Sequence, residues 1–334
     1  MIIPMRHKLS DKERVFTSTG EKLLHHPEAM KKFQEKGIAT PIVMHIMPTS
    51  KCNLKCNFCS VKNRETYETL SLENTIKPVV DKLKERGLKS VILSGGGEPM
   101  IYKEFEPMID YIKSKDLEIG MITNGTLLHR FPDNFYDNFS WIRISINALE
   151  NGGKVKIPGT KNPVIGFSYI TNPLTTRKTL EDIRDLAQEN NVDYVRVLPD
   201  CAQPFEKLEE DHIKVSKLIE ELGEPFFHQY KIPTSPENCY LGFFHPVLYC
   251  DGNIYPCDSL VLNDHNDQQF KKEFVISSAE NVERLYDSPV YSLVDPKKSC
   301  PNCVFERQNT LLQKVLENKI TKFNSENIIH RNFI

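Results

Sequence analysis

The sequence predicts an α/β fold of parallel βαβ units, followed by a smaller, loop-rich C-terminal part. Between residues 42 and 198, six short apolar, β-rich runs alternate with helical patterns, the arrangement that builds a parallel sheet with helical crossovers. Turn and polar residues follow these runs, at Ser94-Gly-Gly-Gly-Glu-Pro99 and Thr123-Asn-Gly125, where parallel α/β barrels collect their reactive groups. Beyond residue 200 the alternation stops, and cysteines appear at 239, 250, 257, 300 and 303.

Residues 1–40 are polar, with helical character around 20–37 and no apolar pattern of core size. Residues 42–47 read as a strand entering a cysteine-rich loop. Ser71 starts a helix over 72–86, with a carboxylate in its first turn. A short strand at 90–93, a helix at 105–114 and strands at 118–122 and 141–146 follow. Residues 147–163 contain Gly152-Gly153 and Pro158-Gly159, which is turn chemistry rather than helix. A fifth strand is expected at 164–171, an amphipathic helix at 179–190 and a sixth strand at 194–198. Further on, 207–222 is helical, 243–250 and 254–256 form a hairpin around Asp251-Gly252-Asn253, and a closing helix covers 308–319.

The 334 residues suit one large domain with an appendage, or two domains. A net charge of −2, with basic residues scattered, excludes a nucleic-acid binder and an anionic-membrane binder as expectations. No apolar run reaches the length of a membrane span, and residues 1–10 lack the apolar core of a signal peptide, so a cytoplasmic protein is expected. In a reducing compartment disulfides are rare. Nine cysteines grouped at 52/56/59 and 239/250/257/300/303 therefore favour metal ligation.

Cys52, Cys56 and Cys59 stand in the run Ser50-Lys-Cys-Asn-Leu-Lys-Cys-Asn-Phe-Cys-Ser60. A [4Fe–4S] cluster usually takes four thiolates, so three leave one iron open to another ligand. A structural zinc site would need a fourth cysteine or histidine. His45 lies upstream on the expected strand, not in the loop. A zinc or redox loop is the competing reading.

This CxxxCxxC loop, with Gly96-Gly97-Glu98-Pro99 after the second strand and Arg143-Ile-Ser-Ile-Asn147 at the fourth, resembles the radical S-adenosylmethionine (SAM) superfamily. The resemblance covers about residues 42–200 and implies a partial (β/α)6 TIM-like barrel. It implies a [4Fe–4S] cluster on Cys52, Cys56 and Cys59 whose open iron is chelated by SAM, with Phe58 near the adenine. Gly96, Gly97 and Glu98 would meet the SAM ammonium, and Thr123, Asn124, Ser145 and Asn147 its ribose or carboxylate. The family often has Asp in place of Asn147. Leu198 would lie against the adenine. The family places a helix where 147–163 read as turns, so either that helix is lost or the fifth strand is misplaced.

The later cysteines resemble the SPASM/twitch branch over about residues 239–305. Cysteines 239, 257, 300 and 303 would hold one auxiliary [4Fe–4S] cluster, and no later cysteine serves a second. A Cys₄ zinc site is the alternative, and Cys250 is a possible substitute ligand. The implied domains are an N-terminal extension at 1–41, a barrel at 42–205 and a twitch-like domain at 206–334.

By resemblance, reductive SAM cleavage yields a 5′-deoxyadenosyl radical that abstracts hydrogen from a C–H bond. A closed auxiliary cluster suits an electron relay, and a flavodoxin- or ferredoxin-type donor is implied. The substrate is expected to be a small polar metabolite such as a sugar or nucleotide. A peptide, modified by crosslinking, thioether formation or epimerisation, is the alternative, although the first 40 residues are short for a peptide-recognition domain. Cys201 and Cys250 are hydrogen-atom donor candidates, set against the usual role of free cysteines as buried small hydrophobes. A non-catalytic iron–sulfur or zinc redox protein is the reading from another class.

Overall fold

The computed structural model describes residues 9–62, 67–160, 162–173, 175–200, 205–230, 234–262, 272–300 and 303–334, and only the backbone at 205 and 206. Seven strands pair in parallel in chain order: β1 (Val43–Ile46), β2 (Ser90–Leu93), β3 (Glu118–Thr123), β4 (Trp141–Ser145), β5 (Val164–Thr171), β6 (Tyr194–Pro199) and β7 (Phe226–His228). Every residue of β1 and β2 is buried, as expected of parallel strands covered on both faces. The six expected strands are present. The seventh is three residues long, too short to carry a pattern of its own.

Helices α1 (Asp11–Phe16) and α2 (Pro27–Lys36) precede the sheet. Helices α3 (Lys77–Glu85), α4 (Phe105–Ser114), α5 (Arg177–Glu189) and α6 (Phe205–Leu222) cross between strands. On α4, Phe105, Met108, Ile109 and Ile112 are buried, the spacing of one helical face. The Ser71 hydroxyl accepts from Asn74 N at 3.1 Å and starts a five-residue π-turn that runs into α3. Between β4 and β5 a 3₁₀ turn, Ile146–Asn151, replaces a crossover helix. The fifth strand stands where expected, so it is the helix that is lost.

Two expectations are corrected. The N-terminal segment does supply core: Leu23, Met30 and Phe33 are fully buried. Phe33 packs edge-on against Phe244, with ring centroids 5.0 Å apart. The partner is some 200 residues away in sequence, which is why no local pattern announces it. The expected strand at 243–250 is instead a helical turn, α7 (Leu241–Phe244), followed by the two-residue β8 (Val247–Leu248). The Asn309 carboxamide oxygen accepts from Tyr240 N and Leu241 N at 2.7 and 2.9 Å, which fixes that turn.

Strand β8 pairs in parallel with β1 and antiparallel with β9 (Asn253–Tyr255), which meets β10 (Ser277–Ser278). The C-terminal strands thus continue the barrel sheet in the order β10-β9-β8-β1-β2-β3-β4-β5-β6-β7. Short helices α8 (Asp258–Val261) and α9 (Pro296–Ser299) follow, then α10 (Glu306–Leu316).

The lumen is layered. A Cβ on Gly120 would lie 2.2 Å from the Trp141 ring, and one on Gly166 2.0 Å from the Tyr194 ring. Glycines on β3 and β5 therefore make room for large rings from β4 and β6, the small-against-large filling of a barrel floor. Phe16 stacks on Tyr194 at 4.4 Å, and Phe333 meets Trp141 at 5.4 Å. Above this floor His45, Ile92, Ile122, Arg143 and Arg196 line a cavity of about 200 Å³.

Candidate active site

The cysteine loop leaves the C-terminal end of β1. Lys51 O accepts a hydrogen bond from Glu98 N at 2.8 Å. A Cβ on Gly97 would lie 2.0 Å from the same oxygen. The glycine thus permits a backbone approach that a side chain would block. The Gly-Gly-Glu turn consequently grips the residue before Cys52.

Glu98 is buried, and its carboxylate accepts from Met100 N at 3.1 Å, Thr123 Oγ1 at 2.6 Å and Asn124 N at 2.8 Å. Burial raises its pKa against the pull of those three donors. This side chain ties the end of β2 to the end of β3. Asn124 in turn faces the cysteine loop: its Nδ2 donates to Asn53 Oδ1 at 2.9 Å and lies 3.9 Å from Cys52 Sγ. Thr126 Oγ1 closes the set, accepting from Asn53 Nδ2 at 2.7 Å and donating to Asn124 Oδ1 at 2.7 Å. Sequence reasoning did not select Asn53 or Thr126. Their positions, beside Cys52 and just past the strand-three turn, are the available signal.

Of the other expected SAM-site residues, Phe58 and Ser145 are half-buried, and Ser145 ends β4 with its hydroxyl unpartnered among the described residues. Asn147 is fully buried and its carboxamide is occupied: Oδ1 accepts from Ile170 N at 2.8 Å, while Nδ2 donates to Ile170 O at 2.9 Å and Glu150 at 3.1 Å. It brackets the turn after β4 onto β5. Leu198 is buried on β6, and Gly96 packs under the Tyr249 ring. Cys201 lies outside the described residues.

Cys52, Cys56 and Cys59 are half-buried and form no disulfide. Burial first, then the charges of Cys52, Cys59 and Glu150, push the Cys56 thiol up to about 11. A thiol kept protonated by burial and by neighbouring negative charge is matched by a cationic metal centre, whose binding releases its proton. Leu54 N donates to Cys52 Sγ at 3.5 Å, a backbone contact of the kind that tunes cluster sulfurs. The donor set fits an iron–sulfur cluster with one iron left open.

A family model described as the radical SAM superfamily matches residues 46–162. Over those residues the chain is similar to that superfamily. Such domains use a [4Fe–4S] cluster and SAM, and the superfamily is one of enzymes. Two curated relatives match more weakly along the chain. The S-adenosylmethionine-dependent nucleotide dehydratase of Selenomonas ruminantium is 24% identical over 43% of this chain and 53% of its own length. A probable GTP 3′,8-cyclase of Methanococcus maripaludis is 27% identical over 53% of this chain and 64% of its own length. The chain thus spans about half to two thirds of these relatives. Among solved structures, Streptococcus suis SuiB bound to its precursor peptide SuiA superposes with a TM-score of 0.59 at 15% identity, over 97% of this chain and 84% of SuiB. At that identity the likeness concerns the fold, a partial TIM barrel.

Beyond the matched residues, Cys239, Cys257, Cys300 and Cys303 line one small cavity with apolar walls that include Leu241, Leu260, Val294 and Phe305. Burial, followed by the charges of Cys303 and Cys300, raises the Cys239 pKa. Cys257 is raised well above its ordinary value by burial, then by Asp258 and Cys239. Among the described residues, no three His, Cys, Asp or Glu side chains group as the shell of a single ion. Cys250 lies elsewhere, buried near Met47, Val247 and Tyr255. Burial pushes its thiol up to about 12, against the pull of the neighbouring Tyr249 and Ser50 side chains.

Among the described residues no helix is long and apolar enough to cross a membrane. Asp258 and Phe305 border the lumen cavity, and each lies within two residues of an auxiliary cysteine.

Proposed function

We propose that this protein is a radical SAM enzyme acting on a small polar metabolite such as a sugar or nucleotide. In this reading Cys52, Cys56 and Cys59 hold the SAM-binding cluster. Cys239, Cys257, Cys300 and Cys303 hold an auxiliary [4Fe–4S] cluster that relays an electron. The observation that carries it is the lumen cavity of about 200 Å³, lined by barrel strands on one side and by Asp258 and Phe305 on the other. Asp258 and Phe305 each stand within two residues of a cysteine of the second set. The size favours a compact substrate over a peptide, and the names of both curated relatives, which refer to nucleotide chemistry, support the same choice.

When bound, the cluster and SAM supply a 5′-deoxyadenosyl radical for hydrogen abstraction, chemistry that belongs to the cofactors. The chain's own residues position and shield. Gly97 and Glu98 fix the loop's first residue, and Asn124 supplies an N–H toward Cys52. The Ser145 hydroxyl is free to bond SAM. Trp141, Tyr194 and Phe16 pack the floor of the lumen. A flavodoxin- or ferredoxin-type protein would deliver the reducing electron.

Iron counting on anaerobically reconstituted protein tests the assignment of both sites. The wild type is expected to hold about eight irons, and the Cys52/Cys56/Cys59 triple-Ala variant about four, on the basis of one cubane per site. Unchanged iron in that variant would remove the first assignment. Zinc in place of the remaining iron would remove the relay.

A further inference from the structure

Lys, Arg and His side chains outnumber acidic side chains in the lining of the lumen. Lys22 and Arg143 both line the cavity and are only 2% and 9% exposed. Neither makes a salt bridge among the described residues. Lys22 is lowered to about 7, by burial first and then by the charge of Arg143, with no carboxylate acting on it. The same two cations, after burial, hold His330 near 4. Asp258, the one carboxylate side chain among the described lining residues, stands 3.9 Å from His45 instead.

Both cations do have neutral partners. Lys22 Nζ donates to Val15 O at 2.8 Å, and Arg143 donates to Phe16 O and, through Nε, to Tyr194 Oη at 3.1 Å. Val15 and Phe16 end α1, so a purely structural reading makes these side chains caps for its last carbonyls. A helix end carries about half a negative charge. With Lys22 about half protonated near pH 7, the pair carries about one and a half positive charges, which exceeds it, and burying an unmatched charge costs several kcal/mol. Capping, with the Trp141 and Tyr194 rings that Arg143 faces at 5.2 and 5.9 Å, therefore leaves about one positive charge without an acid partner inside the barrel.

We infer that Lys22 and Arg143 bind an anionic group of the substrate, a phosphate or a carboxylate, at the lower end of the lumen. The guanidinium offers a planar fork and the ammonium a point charge, the usual pair for either anion. Arg143 lies two residues before Ser145 on β4, and Ile122 two before Asn124 on β3. Two strand residues advance about 7 Å. An anion held at this depth leaves the rest of a small molecule pointing toward the cysteine loop. This assignment rests on the enzyme reading above and narrows its substrate to an anionic metabolite.

The test uses the full reconstituted chain in a zwitterionic buffer free of phosphate and carboxylate. Inorganic phosphate and acetate are each titrated calorimetrically, and melting is followed with and without each ion. The wild type should bind one of them and melt higher in its presence. Preference for phosphate points to a phosphorylated substrate, and preference for acetate to a carboxylate. Lys22→Met and Arg143→Gln should each weaken that binding by about tenfold or more, while Lys22→Arg retains it. Without added ion, Lys22→Met should melt no lower than wild type, because an unmatched buried charge is gone; a pure cap would melt lower. Absence of binding to the wild type, or equal binding by Lys22→Met and wild type, overturns the inference. Measuring SAM cleavage on the same samples separates the two claims. Cleavage without ion binding removes only the anion site, and ion binding without cleavage removes the enzyme reading.

Discussion

Replacing Gly97 with alanine probes the contact between the Gly-Gly-Glu turn and the cysteine loop. The new Cβ would stand 2.0 Å from Lys51 O and 2.6 Å from the carbonyl carbons of Lys51 and Ser50, where ordinary contact begins at 3.4 Å. All three neighbours are backbone atoms, so no side chain can swing aside. The loop must retreat by about 1.4 Å, the difference of those two distances. The 2.8 Å bond from Glu98 N to Lys51 O then breaks. A displacement of about 1 Å at reacting groups can cost about 10²-fold in rate, and overpacking costs about 1–3 kcal/mol in stability. Gly152→Ala is the control: its Cβ meets nothing within 4 Å, but its φ of +77° makes any side chain strained, at about 1–2 kcal/mol. Both variants should melt a few degrees low, and only Gly97→Ala should lose about 10²-fold in 5′-deoxyadenosine formation. A Gly97→Ala enzyme cleaving SAM within about threefold of wild type would refute the idea that this contact positions the cluster loop.

Other outcomes follow from the same geometry. Glu98→Ala should lower stability by about 2–4 kcal/mol in denaturant melts, because it strands the buried Thr123 hydroxyl and Asn124 N–H. Lys22 has a folded pKa of about 7 against an ordinary 10.5. The unfolded chain therefore binds more protons between those values, and stability rises with pH across that window. Relative to Lys22→Met, the wild type should gain about 2–5 kcal/mol from pH 7 to 10.5 in anion-free buffer, and parallel pH profiles would contradict this. Cys250→Ser should keep the wild-type iron content, because that thiol lies apart from the four cysteines around the auxiliary cavity; loss of about four irons would make it a ligand.

The parts legible in the sequence are those governed by local rules. Strands β1 to β6 announce themselves because their residues are mostly apolar and mostly buried. The glycines before Glu98 are legible as a close approach, although only the structure identifies Lys51 as what is approached. The resemblance makes Asn147 a ligand contact, whereas its carboxamide is occupied by Ile170, 23 residues away, which no local pattern announces. Phe243 and Phe244 look like strand residues, yet Asn309 holds that segment as a helical turn. The pairing of Lys22 with Arg143 leaves no trace in either segment. Each of these depends on contacts between distant residues, which periodicity does not encode.

The most direct test of the account is SAM cleavage itself. Anaerobically reconstituted full-length protein, reduced with dithionite and supplied with SAM, should release 5′-deoxyadenosine, and Cys56→Ala should abolish the release. Iron-loaded, reduced wild-type protein that forms no 5′-deoxyadenosine, or a Cys56→Ala variant that forms as much as wild type, would contradict it.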